Sequence, residues 1–266
     1  MKNILFALLI AIFMGGCATN AVTGRKQLSL VPESELQLMA TNQYQTFLKE
    51  NKTLPSSNSQ AAMVDRVGER IANAITKYYT AQGKGKILEG YKWEFNTVDS
   101  KEANAWCMPG GKVVVYTGLL PITQTETALA IVLGHEITHA IASHGNERMS
   151  EGMIQQLGGA ALQVALAQKP AETQNLFMTA YGIGSQVGVM LPFSRKQETE
   201  ADHFGLIFAA MAGYDPREAV PFWERMEKSG GAAPPEFLST HPSNQTRIHK
   251  IKQFMPEAMK YYTGKK

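Results

Sequence analysis

The fold is decided by residues 128–143, ALAIVLGHEITHAIAS. The segment is almost entirely apolar, and Thr123 and Glu126 before it have the spacing of a capping box, so we predict a buried helix over about residues 124–143. Positions four apart differ by about 400° around a helix, so His135 and His139 share one face. Polar groups in a buried helix need partners. One metal ion would satisfy both imidazoles, and a pair of hydrogen-bonded core histidines is the alternative.

The spacing His135-Glu136-x-x-His139 is the pattern of zinc peptidases, in which the glutamate acts as general base toward water. Zinc requires a third protein ligand. His144 lies about 500° from His139 around the helix and therefore off the ligand face, so we expect a solvated or structural histidine. The metzincin pattern is disfavoured, because Ala142 and Gly145 stand where it has glycine and histidine.

A second helix supplies carboxylates. Ser194 and Gln197 form a capping box that predicts a helix to about Met211. Glu198 and Asp202 are four apart and share a face, whereas Glu200 points elsewhere. One carboxylate can bind the metal and the other can hold a ligand imidazole in the correct tautomer. A solvated acidic turn near a helix N-terminus is the alternative.

The remaining pattern predicts an α+β fold that is mostly helical, with a small antiparallel sheet packed on the helix of His135 and His139. The predicted helices cover residues 32–50, 63–79, 216–228 and 242–254, and the predicted strands cover residues 93–98, 103–108 and 112–117. A loop is expected at 230–235. Residues 151–193 are rich in Gly and Ala, and their boundaries are not defined by pattern.

Composition excludes several classes of protein. The 266 residues are 44% hydrophobic and 18% charged, which is globular. The net charge of +3 comes without a basic run, so we expect no nucleic-acid partner. Two cysteines cannot build a disulfide framework, and Cys107 is expected to be a small buried hydrophobe.

The N-terminus predicts a lipoprotein-type signal peptide over residues 1–16. Lys2 precedes an apolar run, Ile4–Phe13, which is too short to span a bilayer and ends in small residues before Cys17. We therefore expect cleavage before Cys17, a lipid on that cysteine, and one domain over residues 17–266. Ala18 favours the outer membrane. A plain secretory signal is the alternative.

Several separated motifs together resemble the gluzincin peptidase family that includes the CAAX prenyl proteases and HtpX. The resemblance is strongest to the periplasmic BepA and LoiP lipoprotein proteases. Its motifs are VTGRKQL at 22–28, NAWCMPGG at 104–111, the two helix motifs above, His241-Pro242 and Arg247. Trp106 and Cys107 depart slightly from the pattern. The chain stops soon after its last predicted helix, so we expect no C-terminal TPR extension of the BepA kind.

The resemblance implies a zincin-like domain holding one Zn²⁺ per chain. It makes His135, His139 and Glu198 the metal ligands, Glu136 the base and Asp202 the carboxylate behind them. It also places His241 and Arg247 in the catalytic site. Substrate would bind along Asn104, Ala105 and Trp106.

The implied activity is hydrolysis of unfolded or misassembled envelope polypeptides by a bacterial protein anchored in the membrane by lipid and facing the periplasm. One alternative is a zinc-stabilised chaperone or assembly factor with weak proteolysis. Another is an auto-inhibited protease, in which residues 151–193 or the His241 loop cover the metal.

Overall fold

The computed structural model describes residues 17–153, 194–229, 241 and 245–264. The helices are α1 (Glu33–Glu50), α2 (Ser59–Ala81), α3 (Leu120–Thr123), α4 (Glu126–Ile141), α5 (described over 144–153), α6 (Arg195–Met211), α7 (Ala219–Ser229) and α8 (Gln245–Ala258). Short 3-10 helices occupy Gly85–Leu88, Thr117–Leu119, Pro216–Glu218 and Met259–Tyr261. The strands are β1 (Cys17–Thr19), β2 (Lys26–Leu28), β3 (Glu94–Val98), β4 (Ala105–Met108) and β5 (Lys112–Tyr116). The α+β, mostly helical prediction is confirmed.

Helix α4 is the centre of the core. Every residue from Ala128 to Ile141 is buried, and the helix packs on α2, α6 and β4. The predicted capping box of Thr123 and Glu126 is wrong. Thr123 ends α3 and donates its hydroxyl to the carbonyl of Leu120, while Thr125 accepts from the backbone N–H of Ala128 and begins α4. Either threonine could cap a helix. Because the short helix α3 ends at Thr123, the next helix begins later and Thr125 is its N-cap.

The predicted antiparallel sheet is corrected to a mixed sheet. Its order is β3-β5-β4, in which β5 pairs antiparallel with β4 and parallel with β3. The Pro-Gly-Gly turn makes β4 and β5 a hairpin, as the short connection implies. Strand β3 is not antiparallel to its neighbour. The chain leaves β3, skips one strand position to form β4, and then turns back so that β5 fills the position between them, parallel to β3. Pairing order is a tertiary outcome that the lengths of short loops do not determine.

Helices α4 and α6 cross at a contact between two glycines. A Cβ on Gly134 would lie 2.5 Å from the carbonyl oxygen of Gly205, and a Cβ on Gly205 would lie 2.7 Å from the backbone nitrogen of His135. No side chain fits there, so the backbones touch. The antiparallel crossing brings His135 opposite Asp202 and His139 opposite Glu198.

The two faces of β4 belong to two cores. Ala105 and Cys107 pack in the main core with α4, whereas Trp106 and Met108 pack in a second core with α1. The burial of Cys107 agrees with the expectation for this thiol.

The N-terminal hairpin β1–β2 lies beside the end of α4, where the side chains of Asn20 and Gln27 both donate to the carbonyl of Ala142. Within residues 17–153, 194–229 and 245–264, no helix has the length and hydropathy required to cross a bilayer. The predicted loop at 230–235, Pro242 and most of residues 151–193 lie outside the described residues.

Candidate metal centre

Four buried side chains from three parts of the chain converge on one point. They are His135, His139, Glu198 and His241, and their potential ligand atoms all lie within 4.8 Å of one another. The Nε2 atoms of His135 and His139 are 3.0 Å apart, and Glu198 Oε1 is 3.3 Å from His139 Nε2. The structure therefore brings together the three ligands expected from sequence and adds a fourth donor.

The donor set suits a zinc ion. Zn–N bonds of about 2.0–2.1 Å in a tetrahedron place neighbouring donor atoms about 3.3 Å apart, which is close to the separations seen here. Neutral imidazole nitrogens that face each other can share only one proton. A cation at the centre satisfies these lone pairs and the Glu198 carboxylate together. The residues present therefore fit a bound metal.

Asp202 and Arg247 hold His135 from behind. The carboxylate of Asp202 lies 3.0 Å from Nδ1 of His135, so Nε2 is left to face the cluster. The Arg247 guanidinium donates to both Asp202 oxygens, at 2.8 and 2.7 Å, and its carbon lies 3.5 Å from the Trp223 ring centroid. This bidentate pair fixes the orientation of the carboxylate.

His241 points into the cluster. Its Nδ1 is 2.8 Å from Glu198 Oε1 and 3.2 Å from His135 Nε2, and the Arg247 Nη1 donates to its carbonyl at 3.3 Å. Burial lowers the pKa of His241, but the charges of Glu198 and Glu136 outweigh it, so the net pKa is raised. The structure places His241 and Arg247 together at the cluster.

Glu136 lies at the edge of the cluster. Its Oε1 is buried, forms no hydrogen bond among the described residues, and lies 3.5 Å from Nε2 of His241. Burial raises the pKa of Glu136 to about 7, against the opposing charge of His241. A carboxylate with this pKa can accept and return a proton near neutral pH.

A second chain of contacts reaches His139, and sequence reasoning missed it. Nδ1 of His139 is 3.0 Å from Nδ1 of His144, whose Nε2 is 3.0 Å from Glu200 Oε2. Glu200 accepts from Arg25 Nε at 2.7 Å. His144 is not a member of the metal cluster, and because it is fully buried it is structural rather than solvated. Glu200 does not share the face of Glu198 and Asp202, as predicted, and contacts His144 outside the cluster.

Strand β4 runs along the edge of the mixed sheet. Asn104 precedes it, and the Asn104 side chain accepts from the backbone N–H of Ala105 at 2.9 Å. The Trp106 ring is buried edge-on to Phe47, with centroids 5.0 Å apart. The Trp106 ring is therefore not accessible to a substrate, and alternation along β4 directs the backbone N–H and C=O of Trp106 toward β5.

Residues 58–255 match the family described as Peptidase family M48. The match spans α2 to α8 and includes all four donors of the cluster. Metallopeptidases of this family use zinc. The resemblance to a zinc peptidase family that the sequence motifs indicate is thereby confirmed.

Named relatives include both mitochondrial and bacterial proteins. The mitochondrial metalloendopeptidase OMA1 of Arabidopsis thaliana is 42% identical over 177 residues, which cover 66% of this chain and 34% of that protein. The mitochondrial metalloendopeptidase OMA1 of Homo sapiens is 31% identical over 266 residues, covering 96% and 49%. The beta-barrel assembly-enhancing protease of Escherichia coli is 29% identical over 186 residues, covering 65% and 37%.

The chain spans about a third to a half of the length of these three relatives. The bacterial protein is less similar to it than the two mitochondrial ones, so a particular closeness to BepA is not supported. A family match over most of the chain, joined to a buried cluster of three histidines and one glutamate, leads to one conclusion: the chain belongs to Peptidase family M48.

Proposed function

We propose that the protein is a zinc-dependent endopeptidase in which His135, His139 and Glu198 bind the metal and Glu136 is the general base. The observation that carries the proposal is the convergence of these ligand atoms within one buried cluster, beside the carboxylate of Glu136. Asp202 and Arg247 position His135.

The residues divide the chemistry between them. Zinc, when bound, polarises a peptide carbonyl and makes water more acidic. Glu136 takes a proton from the attacking water at its carboxylate and returns it to the nitrogen of the leaving amine. The Asp202–Arg247 pair keeps the His135 ring in one tautomer throughout, so no reorientation accompanies the reaction.

Substrate is proposed to add as a strand to the edge of β4. In the β4–β5 ladder, the Asn104 carbonyl accepts from the Tyr116 N–H, so alternation directs the Ala105 and Cys107 backbone groups to the opposite edge. An extended segment can pair with them, which favours unfolded substrates.

Cys107→Pro removes one outward N–H and should lower cleavage, whereas Cys107→Ala should not; equal cleavage by both would argue against strand addition.

The activity itself is tested by removal and return of the metal. Purified protein treated with a chelator should lose cleavage of unfolded casein and regain it with one equivalent of zinc per chain. Mass spectrometry of the fragments identifies the bonds broken. Casein cleavage that persists after complete removal of metal would refute the zinc mechanism.

His241 is proposed to cap the metal in a latent form of the same enzyme. Its Nδ1 lies among the ligand atoms, in the position that the attacking water or the peptide carbonyl would need at the metal. We expect His241→Ala to raise the rate of casein cleavage. A fall in that rate would instead assign His241 to stabilising the transition state, and the measurement is the initial rate at equal zinc loading.

The cellular role is proposed to be quality control of envelope proteins, with a lipid on Cys17. Support comes from the apolar leader before Cys17, from the exposed position of this cysteine at the start of β1, and from the similarity to a bacterial protease named for β-barrel assembly. Cys17→Ser should move the protein from the membrane fraction to the soluble periplasmic fraction. Unchanged membrane association of this variant would refute the anchor.

A further inference from the structure

We propose that His144 and Glu200 are positioning residues of the metal site, and that Arg25 of the N-terminal hairpin holds them in place. The proposal rests on the proposed function, because it concerns the outer side of the proposed ligand His139. The spacing of the proposed ligands predicts no role for His144, Glu200 or Arg25.

The contacts form one continuous chain from the cluster to the hairpin. His139 faces the other ligands with Nε2 and faces His144 with Nδ1. His144 is 0% exposed and reaches Glu200 with its second nitrogen. Glu200 in turn accepts from Arg25 Nε at 2.7 Å and Nη2 at 3.1 Å.

Only one arrangement of protons is consistent with metal binding through Nε2 of His139. That nitrogen must then present its lone pair, so the His139 proton lies on Nδ1 and is donated to Nδ1 of His144. The His144 proton therefore lies on Nε2 and is donated to the Glu200 carboxylate. Every nitrogen has one partner, and the tautomer of the ligand is determined from outside the cluster.

The two ligand imidazoles are supported in parallel ways. His135 is held by a carboxylate, Asp202, which is gripped by Arg247. His139 is held by a carboxylate, Glu200, acting through one extra imidazole and gripped by Arg25. Both carboxylates lie on α6, while the two arginines come from opposite ends of the chain.

Arg25 is anchored firmly enough to serve this purpose. Its guanidinium also donates to both oxygens of Glu147, at 2.5 and 2.6 Å, and Glu147 accepts from Gln197 at 2.8 Å. The hairpin carrying Arg25 is tied to the end of α4 through Asn20. Arg25 therefore joins the hairpin, α5 and α6 at one point behind His139.

The test is the dissociation constant for zinc, measured on the full chain by competition with a chromophoric chelator. His144→Phe keeps a planar ring but accepts no hydrogen bond, and we expect zinc affinity to fall by about 10- to 100-fold, as for other outer partners of ligand histidines. Glu200→Gln and Arg25→Gln should weaken zinc binding by smaller factors. Arg225→Gln is the matched control, because Arg225 pairs with Glu218 and contacts α3 instead.

A purely structural role predicts a different pattern. It would lower the melting temperature of the metal-free variants while zinc affinity stays within about twofold of wild type, and that result overturns the proposal. If His144→Phe does not fold, the other two variants decide by the same criterion. Histidine nitrogen NMR of the zinc-loaded wild type provides an independent readout, since a His139 proton on Nε2 rather than Nδ1 would also overturn it.

Zinc affinity is independent of peptide turnover, so the two proposals fail separately. Casein cleavage with unchanged zinc affinity in all three variants removes only the positioning role. If the three substitutions weaken zinc binding but the wild-type protein cleaves no casein, only the peptidase proposal is removed.

Discussion

Glu136→Gln is expected to abolish measurable peptide hydrolysis while leaving the metal bound and the fold intact. The amide has the same shape but cannot take a proton from water, and a positioned general base contributes about 10²- to 10⁴-fold to a rate. Because Glu136 is not among the four clustered donors, zinc affinity should change little. The measurements are the initial rate on casein and the zinc content per chain.

Glu126→Gln is the matched control for this substitution. Glu126 lies in the first turn of the same helix and pairs with Arg66 at the surface, so its amide variant should retain full turnover. Full hydrolysis by Glu136→Gln would remove the assigned base. If hydrolysis is lost but the variant still supports envelope assembly in cells, the chaperone alternative gains at the expense of the protease.

Glu198→Ala is expected to weaken zinc binding by more than the about 10- to 100-fold that loss of an outer partner costs, because it removes a ligand itself. Loss of hydrolysis should follow from loss of metal. The substitution also removes a buried carboxylate 3.0 Å from Nη1 of Arg247 and 2.8 Å from His241. Breaking such a buried pair costs about 3–5 kcal/mol, so the melting temperature should fall as well.

Two comparisons separate metal loss from unfolding. Glu198→Gln retains the side-chain volume and is measured by the same chelator competition if the alanine variant aggregates. Glu218→Ala removes a carboxylate that pairs with Arg225 away from the cluster and should leave zinc affinity unchanged. Wild-type zinc affinity in both Glu198 variants would show that this carboxylate is not a ligand.

Local patterns predicted much of the site. Helical spacing alone places His135 with His139 and Glu198 with Asp202, because a separation of four residues determines a shared face in any α-helix. The Ser194–Gln197 capping box is confirmed, since both of its hydrogen bonds are made within one turn. These features depend on near neighbours in the chain, so no knowledge of tertiary packing is needed.

The remaining features depend on partners distant in sequence. Arg25 meets Glu200 across 175 positions, and no spacing rule indicates such a pair. His144 lies outside the cluster, but the helical angle used to predict this does not apply, because α4 ends at Ile141 and His144 begins α5 after a turn in which Ser143 has a φ of 49°. The crossing at Gly134 and Gly205 is likewise visible only once both backbones are placed.

The most direct test of the whole account is crystallography of the zinc-loaded protein with anomalous scattering at the zinc edge. We predict one peak per chain, about 2.0–2.2 Å from Nε2 of His135, Nε2 of His139 and a carboxylate oxygen of Glu198. Absence of a peak at this cluster in a crystal that contains stoichiometric zinc, or a peak bound by other side chains, would contradict the account.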